Sequence, residues 1–395
     1  MLALTAGALG VGATVALLGI IGGIERVNTS MFIEGSLGAL QVHRSGYVAA
    51  LASNPLRLAM DDSRALRERL LSVPGVKAVS PRIAFSALLS TSLAGGEEGE
   101  AAPLVLTGVE VGLEKAVFPR RDSWVSAWPI PGVDPMGVTL AFDFAQALKA
   151  VDTHAKNVPK LAVLASDQDD LLNGVNASLV GTVKSGMAGD RRYGFVDLHA
   201  AQVLLRMEGK VTEYAVAVDD WNALADVKAG LVTALGPGFE VHRWDELMPL
   251  LKNITRAQRG FAASLAAIVL GVVLLGFANT MLLSVNDRVR EIGVMLSLGL
   301  TRAQVRSLFL WEGAALSMFA ALAGCGTGLA AIRAIEASGL ELASPGGNIK
   351  LLIVPVVPLG VVAALGVVTA VGGMAAAFWA AGRAATLSPV EALRE

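Results

Sequence analysis

The sequence predicts a membrane protein with four transmembrane α-helices and a large mixed α/β domain inserted between helix 1 and helix 2. Hydrophobic residues make up 54% of the 395 residues, charged residues make up only 17%, and the mean hydropathy is +0.58. This composition is too apolar for an ordinary soluble enzyme. The charged residues are also concentrated between residues 25 and 259, so the rest of the chain contains long uncharged stretches.

Four stretches contain no Asp, Glu, Lys or Arg: residues 2–24, 260–286, 313–332 and 351–382. Each is long enough to cross a bilayer core of about 30 Å at about 1.5 Å of rise per residue. Buried helices of soluble proteins rarely contain uncharged runs of this length, so we expect transmembrane helices. The last stretch is longer than one crossing needs, and Pro355 and Pro358 are expected to mark its start.

The first apolar stretch is predicted to be an uncleaved helix rather than a signal peptide. No basic segment precedes it, its apolar run exceeds an ordinary signal core, and no small-x-small cleavage site follows. Because the chain begins abruptly inside this helix, we expect a short basic leader to belong ahead of it.

The residues between helix 1 and helix 2 predict a mixed α/β domain. Residues 61–72 carry leucines at helical spacing before a Pro-Gly pair, which predicts a helix. Alternating apolar segments predict strands at 76–92, 101–112, 161–165, 178–186 and 213–219, the first two joined as a hairpin through residues 93–100. Further helices are predicted at 138–150, 198–207 and 221–235.

The distribution of basic residues predicts which side of the membrane each loop occupies. The loop 333–350 has one Arg and one Lys, whereas the 286–306 segment has four arginines and the tail has two: Arg288, Arg290, Arg302, Arg306, Arg383 and Arg394. The positive-inside rule therefore places the 286–306 segment and the tail in the cytoplasm. Both termini are then cytoplasmic and the large domain is periplasmic, in a multi-pass protein of the bacterial inner (plasma) membrane.

These expectations define eight consecutive segments. They are transmembrane helix 1 (1–24), the periplasmic α/β domain (25–258), transmembrane helix 2 (259–285), a cytoplasmic helix (286–300), transmembrane helix 3 (301–332), a periplasmic loop (333–350), transmembrane helix 4 (351–382) and the cytoplasmic tail (383–395).

The junction between helices 2 and 3, residues 279–312, is the most informative part of the sequence. It leaves an apolar stretch, becomes charged and amphipathic, and then enters apolar sequence again. Val289, Ile292 and Leu296 share one helical face, while charged residues occupy other positions. From the pattern alone, two interpretations stay open: a helix lying on the lipid surface, or a helix on which a cytoplasmic ATPase pushes.

Local signals bound this short helix. Gly299 predicts its end, and Thr301 with Gln304 matches the S/T-x-x-E/Q capping box that starts a helix. Asn279 and Glu312 lie near the cytoplasmic ends of the flanking helices. An ionisable group at membrane depth indicates function, but interfacial packing explains Glu312 equally well.

The sequence lacks the motifs of common catalytic classes. It contains no G-x-x-x-x-G-K-[ST] loop, no H-E-x-x-H and no G-x-S-x-G. The single cysteine, Cys325, lies in the third apolar stretch, and the four histidines are scattered. Asp167, Asp169 and Asp170 cluster in a loop, and we interpret their carboxylates as solvated surface groups. We therefore expect a non-catalytic chain without cofactor or metal, and the net charge of −2 without a basic cluster predicts no nucleic-acid partner.

Small residues recur at four-residue spacing in the apolar stretches. The pairs are Gly19 with Gly23, and Gly324 with Gly328. This spacing lets two helices approach closely in lipid. It is compatible with packing inside one chain or with a dimer, and we expect a dimer face.

Several segments resemble one known family along the whole chain. They are LGALQVHRSGY (37–47), PGVKAVSPRI (74–83), GDRRYGFVDLHAAQVLL (189–205), VTEYAVAVDD (211–220), SVNDRVREIGVMLSLGLTRAQVRSLFLWEG (284–313) and LSPVEALRE (387–395). Together with the layout of the helices, these segments resemble the FtsX-like permeases of mechanotransmission-type ABC systems. The resemblance is to the lipoprotein-releasing permeases in particular, and its most specific part is residues 284–313.

The resemblance implies that the junction is a coupling helix. The residues implied to contact or support an ATPase are Arg288, Arg290, Glu291, Ile292, Gly293, Leu296, Gly299 and Thr301. It also implies four partners: a separate cytoplasmic ABC ATPase dimer, a second permease copy or sister permease, a lipoprotein or other periplasmic client, and membrane lipid. Two alternatives stay open: export of a small molecule or peptide, as in macrolide-type efflux permeases, and a signalling anchor that activates a cell-wall hydrolase.

Overall fold

The computed structural model describes residues 2–53, 55–92, 101–133, 135–148, 160–184, 192–343 and 349–384. The chain divides into two compact units, which we call the membrane unit and the α/β unit. The membrane unit consists of Met1–Val27, Asn253–Glu341 and Leu352–Glu395, and the α/β unit consists of Asn28–Lys252 and Leu342–Leu351.

The helices and strands follow one another in a mixed order. The α-helices are α1 (Leu2–Phe32), α2 (Arg64–Leu71), α3 (Val111–Val117), α4 (Pro119–Trp124), α5 (Phe142–Ala147), α6 (Leu198–Leu204), α7 (Leu224–Leu235), α8 (Trp244–Leu247), α9 (Pro249–Asp287), α10 (Val289–Ser297), α11 (Arg302–Ser338) and α12 (Leu359–Ala384). The strands are β1 (Leu40–Arg44), β2 (Met60–Asp61), β3 (Val76–Ser92), β4 (Ala101–Val109), β5 (Met136–Ala141), β6 (Lys160–Ser166), β7 (Leu172–Val183), β8 (Tyr193–Asp197), β9 (Lys210–Val211), β10 (Glu213–Val218), β11 (Phe239–Arg243), β12 (Glu341–Ala343) and β13 (Lys350–Leu352). A short π-helix, Ile33–Leu37, directly follows α1.

Within the described residues, four helices are long and apolar enough to cross a membrane: α1, α9, α11 and α12. The main part of the α/β unit, Asn28–Lys252, lies in the chain between the first and the second of them, which confirms the predicted fold class. The short part Leu342–Leu351 lies in the chain between α11 and α12. Helix α12 begins at Leu359, directly after Pro358, as the two prolines predicted. Proline is tolerated at the start of a helix because a backbone N–H there has no partner within the helix, so its absence costs nothing.

The α/β unit is built on a sheet that closes on itself. The strand order is β11-β1-β10-β3-β4-β8-β5-β7-β6, and β6 pairs again with β3. Strand β3 pairs with β10 near its start and with β6 near its end, so one long strand belongs both to the ring and to the extension formed by β10, β1 and β11. The predicted antiparallel pairing of β3 with β4 is confirmed, while the hairpin loop 93–100 lies outside the described residues.

The core of the α/β unit lies between the sheet and the helices α2, α6 and α7. Leu70, Ile83, Leu106, Val138 and Leu231 are fully buried in it. The predicted helix at 61–72 is confirmed as α2, whose first turn is capped by the side chain of Ser63. Apolar residues at helical or alternating spacing thus identified most elements of this unit.

Two predictions in this unit are wrong. Residues 138–150 were expected to be one helix, but Met136–Ala141 is strand β5, buried between β7 and β8. Of the described part of this range, up to residue 148, only Phe142–Ala147 is helical. Pairing with two neighbours outweighs the weak helical pattern there. Of the three carboxylates expected to be solvated, Asp169 and Asp170 are exposed, but the side chain of Asp167 is buried. Its carboxylate accepts hydrogen bonds from the backbone N–H groups of Asp169 and Leu171, each at 2.9 Å.

Candidate coupling site

The site is the junction at which α9, α10 and α11 meet in the membrane unit. Helix α10 ends in a Schellman motif, in which the N–H of Leu300 donates to the carbonyl of Met295 at 3.2 Å and the N–H of Gly299 donates to the carbonyl of Leu296 at 3.1 Å. Gly299 has φ of +96°, a region that favours glycine because it has no Cβ. The predicted end of the helix at Gly299 is therefore confirmed.

A capping box starts α11 immediately afterwards. The N–H of Gln304 donates to Thr301 Oγ1 at 3.4 Å, and the N–H of Thr301 donates to Gln304 Oε1 at 2.8 Å. These two bonds satisfy backbone donors that a helix start leaves without partners. Short, well-defined signals therefore fix the turn between α10 and α11 at both ends.

One face of α10 packs into the protein. Ile292 is fully buried together with residues of α9, α11 and α12, in what we call the junction cluster: Val285, Ile292, Val305, Phe309 and Ala381. Met295 and Leu296 of α10 pack against this cluster, and Gly293 is also buried. Because the cluster contains side chains from three neighbouring helices, α10 is held against all of them.

The opposite face of α10, which we call the outward face, is exposed. It carries Arg290, Glu291, Val294 and Leu298. Val294 is 44% exposed and Leu298 is 76% exposed. The face therefore offers two charges of opposite sign beside two apolar side chains.

Charged side chains link the junction to neighbouring helices. Arg288, directly before α10, pairs with Glu312 of α11 at 3.3 Å between Nη1 and Oε2. The guanidinium of Arg306 lies over the ring of Phe378 of α12, 4.3 Å from the ring centroid. Glu312 thus has a structural partner, as the packing interpretation expected. Both contacts leave the charged groups partly exposed, so their strength is modest.

The structure brings the eight sequence-derived residues together in one segment, but on different sides of it. Ile292, Gly293 and Leu296 belong to the inner side, whereas Arg290 and Glu291 belong to the outward face. Arg288, Gly299 and Thr301 occupy the helix ends. Their role in coupling to an ATPase stays a prediction.

Sequence reasoning missed the residues that receive α10. They are Val285, Val305, Phe309 and Ala381. Val305 and Phe309 are four residues apart on α11, so the i, i+4 spacing of buried apolar residues was the available signal. Ala381 belongs to α12 and carries no local signal of this contact.

The glycines expected at a dimer face make contacts inside the chain. A Cβ on Gly324 would lie 2.5 Å from Val11 Cβ, and one on Gly328 would lie 2.6 Å from Val15 Cβ, so α1 and α11 approach closely there. A Cβ on Gly23 would meet the carbonyl of Val354 at 2.6 Å. Gly19 similarly faces Ile332 and Pro355. The expectation of a dimer face at these residues is therefore wrong, because small residues serve equally well within one chain.

Within the described ranges, no group of three or more His, Cys, Asp or Glu side chains is placed to hold a metal ion. The side chain of Cys325 lies 3.7 Å from the carbonyl oxygen of Val362, between α11 and the start of α12. The junction offers helix ends, a packed inner side and a mixed outward face.

The fold and the junction define a class: a polytopic membrane protein whose large α/β domain is inserted after the first helix. The family model of the MacB-like periplasmic core domain matches residues 1–234, and that of the FtsX-like permease C-terminal region matches residues 263–385. The chain therefore belongs to the FtsX-like permeases with a MacB-like periplasmic core domain, which confirms the family resemblance.

Two similar proteins illustrate the relationship. The ABC transporter permease YknZ of Bacillus subtilis is 33% identical over 156 residues, which is 40% of this chain and 36% of that protein. The macrolide export ATP-binding/permease protein MacB of Chlorobium luteolum is 32% identical over 158 residues, which is 40% of this chain and 22% of that protein. The matches therefore span about a third or less of these relatives.

Two solved structures resemble parts of the chain. The extracellular domain of YknZ from Gram-positive bacteria matches with a TM-score of 0.33 and 11% identity, covering 52% of this chain and 99% of that structure. The periplasmic region of MacB from Actinobacillus actinomycetemcomitans matches with a TM-score of 0.34 and 11% identity, covering 58% of this chain and 98% of that structure.

Proposed function

We propose that the chain is the non-catalytic permease subunit of a mechanotransmission-type ABC transporter, and that α10 receives the movement of a partner ATPase. The observation that carries the proposal is the division of α10 into a packed inner side and an exposed outward face. Because α10 packs against α9, α11 and α12, a force that displaces α10 also displaces these three helices. A coupling helix requires both an exposed face that a partner can contact and a packed face that transmits the movement.

The chemistry of the outward face favours a protein partner over lipid. A helix lying on the lipid surface turns an apolar face to the acyl chains and keeps its charges on the other side. Here the most buried apolar residue, Ile292, packs inside the protein, and the outward face mixes Arg290 and Glu291 with Val294 and Leu298. Apolar side chains surrounded by charges are typical of protein interfaces.

The arginines support a cytoplasmic position for this face. The junction carries Arg288, Arg290, Arg302 and Arg306, and the positive-inside rule places such a segment in the cytoplasm. The α/β unit and the loop between α11 and α12 are then on the other side, with both ends of the chain in the cytoplasm. This is the side on which ATP and an ABC ATPase dimer are found.

The assembly requires nucleotide-binding subunits and a second permease. Residues 1–395 contain no phosphate-binding loop, and we assign ATP binding to a partner ATPase. ABC ATPases act as dimers, and a second copy of this chain or a sister permease would present the second coupling helix. Helices α9, α11 and α12 carry exposed apolar side chains, which are available to contact a second permease as well as lipid.

For the client, we propose export of a small molecule or peptide from the periplasm. The relative from Chlorobium luteolum, described as a macrolide exporter, supports this choice. The second candidate is release of lipoproteins from the inner membrane, which the likeness of residues 37–47 and 74–83 to lipoprotein-releasing permeases favours. Both need an α/β unit that moves when ATP is bound.

The partner is tested by affinity purification of the full chain in mild detergent. We expect an ABC ATPase to co-purify with the unaltered chain and to be lost with Leu298→Asp, which places a charge on the outward face. Leu340→Asp is the matched control, because Leu340 is also an exposed leucine, at 42%, but follows the far end of α11. Retention of the ATPase by the Leu298 variant would exclude this face as its docking site.

The client is tested by depleting the protein in its host. Export predicts greater susceptibility to macrolides with normal sorting of acylated proteins. Lipoprotein release predicts that acylated proteins accumulate in the inner-membrane fraction while susceptibility changes only through general envelope damage. Unchanged macrolide susceptibility together with unchanged sorting would contradict both macrolide export and lipoprotein release.

A further inference from the structure

The chain enters the α/β unit through a segment whose carbonyl groups need partners. The π-helix Ile33–Leu37 follows α1 and ends at Gly38, which has φ of +80°. The last carbonyls of any helix lack partners from the helix itself. Residues 34–37 are half-buried, and a carbonyl that is shielded from water is costly unless another part of the protein supplies a donor.

Three side chains of the α/β unit supply these donors. Arg121 donates from Nε to the carbonyl of Gly35 at 2.7 Å and from Nη2 to the carbonyl of Ser36 at 2.8 Å. Arg82 donates from Nη1 to the carbonyl of Ser36 at 3.1 Å. Gln41 Nε2 donates to the carbonyl of Leu37 at 2.8 Å. Positive side chains also suit the negative end of the helix dipole.

The carboxylate of Glu114 pairs with both arginines, and Arg82 also pairs with Glu213 at 3.3 Å between Nη1 and Oε1. The side chain of Glu114 is fully buried, and it pairs with Arg82 at 2.5 Å between Oε1 and Nη2 and also with Arg121. Burial opposes ionisation of Glu114, but Arg82 and Arg121 outweigh it and hold the pKa of its carboxyl below its ordinary value. The guanidinium carbons of Arg82 and Arg121 lie over the ring of Phe118, 4.2 Å and 4.1 Å from its centroid.

Further contacts fit the segment closely to α4. A Cβ on Gly35 would lie 2.6 Å from Cζ3 of the Trp124 ring, so only glycine fits there without a shift. Glu34 pairs with Arg120 at 2.6 Å between Oε2 and Nε. Four successive residues are therefore contacted by side chains of the α/β unit: Glu34 through an ion pair, and Gly35, Ser36 and Leu37 through hydrogen bonds to their carbonyls.

Buried charges of this kind define a position rather than add stability. Apolar residues of similar volume often stabilise a core as well as a buried ion pair does. Only a guanidinium, however, can donate in a fixed plane to two neighbouring carbonyls while it also pairs with a carboxylate. The arrangement fixes the π-helix against β3 and α4 in one geometry, and partial slippage would leave buried groups unpaired.

We infer that Arg82, Glu114 and Arg121 form an anchor that makes the sheet of the α/β unit follow displacements of the segment after α1. Arg82 belongs to β3, which pairs with both β10 and β6, so the anchor acts on the strand common to the ring and its extension. The three residues are positioning residues. The inference rests on the proposed function, because it assumes that ATP binding moves the membrane helices.

Two variants loosen the anchor without removing its charges. Arg121→Lys keeps a cation beside Glu114, but a single ammonium cannot reproduce the planar pair of bonds to Gly35 and Ser36. Gly35→Ala instead forces the segment away from the Trp124 ring. Adding Trp124→Leu to the Gly35 variant makes room for the methyl group and should restore the wild-type behaviour.

Two matched controls make the same changes elsewhere. Gly112→Ala adds a methyl group next to the anchor, at the start of α3, where a Cβ would meet nothing within 4 Å. Arg57→Lys makes the same exchange in an exposed pair with Asp170, away from the anchor. Both should behave as the unaltered chain.

The readout is hydrogen exchange of the full chain bound to its ATPase, with and without a non-hydrolysable ATP analogue. In the unaltered complex, we expect the nucleotide to change exchange in α10 and also in β3 and β10. The two loosening variants should keep the change in α10 and lose the change in the strands. Unchanged exchange of β5 and β7 without nucleotide shows that a variant is folded.

The outcomes separate the anchor from the proposed function. If α10 of the unaltered complex does not respond to nucleotide, the proposed function fails and the anchor fails with it. If α10 responds but β3 and β10 do not, or if both loosening variants retain the response of the strands, the coupling proposal stands and the anchor is wrong.

Discussion

Replacing Ile292 by alanine should detach α10 from the junction cluster. Ile292 is fully buried, and the change removes three carbon atoms. At about 0.8 kcal/mol for each buried CH₂, plus the penalty for the cavity, the loss is about 3 kcal/mol. Because about 1.4 kcal/mol corresponds to a tenfold change in an equilibrium, the detached state should become about a hundredfold more populated.

Hydrogen exchange measures this population directly in the full chain in detergent. Amide protons of Val289–Ser297 exchange through local opening, so their exchange should accelerate by about two orders of magnitude when opening and closing are fast. The matched control is Val294→Ala. Val294 is also β-branched, so both variants gain similar helix propensity, but its side chain is 44% exposed on the outward face.

The two variants should therefore differ strongly. The Val294 variant should remain within about twofold of the unaltered chain, since exposed substitutions usually change stability by less than about 0.5 kcal/mol. Equal exchange rates in the two variants would refute the assignment of inner and outward faces. Exchange in the Ile292 variant no faster than in the unaltered chain would show that α10 does not depend on the junction cluster.

Three further predictions concern single sites. Gly324→Ala should lower the free energy of unfolding of the detergent-solubilised chain by about 1–3 kcal/mol, because the new methyl group would overlap Val11 of α1. Thermal unfolding should show no such loss for Gly326→Ala, because a Cβ on Gly326 meets nothing within 4 Å. Burial lowers the pKa of His43 below its unfolded value of about 6.5, so the stability this group contributes is present above that pH and is lost as pH falls below it. His43→Phe should flatten this dependence in urea titrations at several pH values, and an unchanged slope would contradict it. Thr301→Ala should cost about 1 kcal/mol of local stability at the start of α11, seen as faster exchange of its first turn, and equal protection would rule out the capping role.

Local signals in the sequence were sufficient for the ends of the junction helix. Gly299 and the pair of Thr301 and Gln304 act through hydrogen bonds within six residues of one another, so spacing alone identifies them. The uncharged stretches were equally reliable, because a bilayer demands a minimum length of apolar helix whatever the rest of the fold does.

Contacts between distant residues could not be predicted in the same way. The anchor joins Arg82, Glu114 and Arg121 to the carbonyls of the π-helix, and each residue alone resembles an ordinary surface charge. Strand β5 was mistaken for the start of a helix because its partners β7 and β8 follow much later in the chain. In both cases the deciding interaction depends on which segments the fold brings side by side.

The sequence by itself determined that this is a four-helix membrane protein of the FtsX-like family with a bounded amphipathic helix after the second span. The length of the apolar stretches, the capping signals and the family-specific stretch 284–313 are all local features, so they can be identified from the sequence without knowledge of the fold. Only the tertiary structure decided which face of α10 is packed and that Gly324 and Gly328 pack against α1. It also decided that a buried charge cluster contacts the segment after α1. Those features depend on burial and on hydrogen-bond geometry between segments far apart in the chain, and these exist only once the chain has folded.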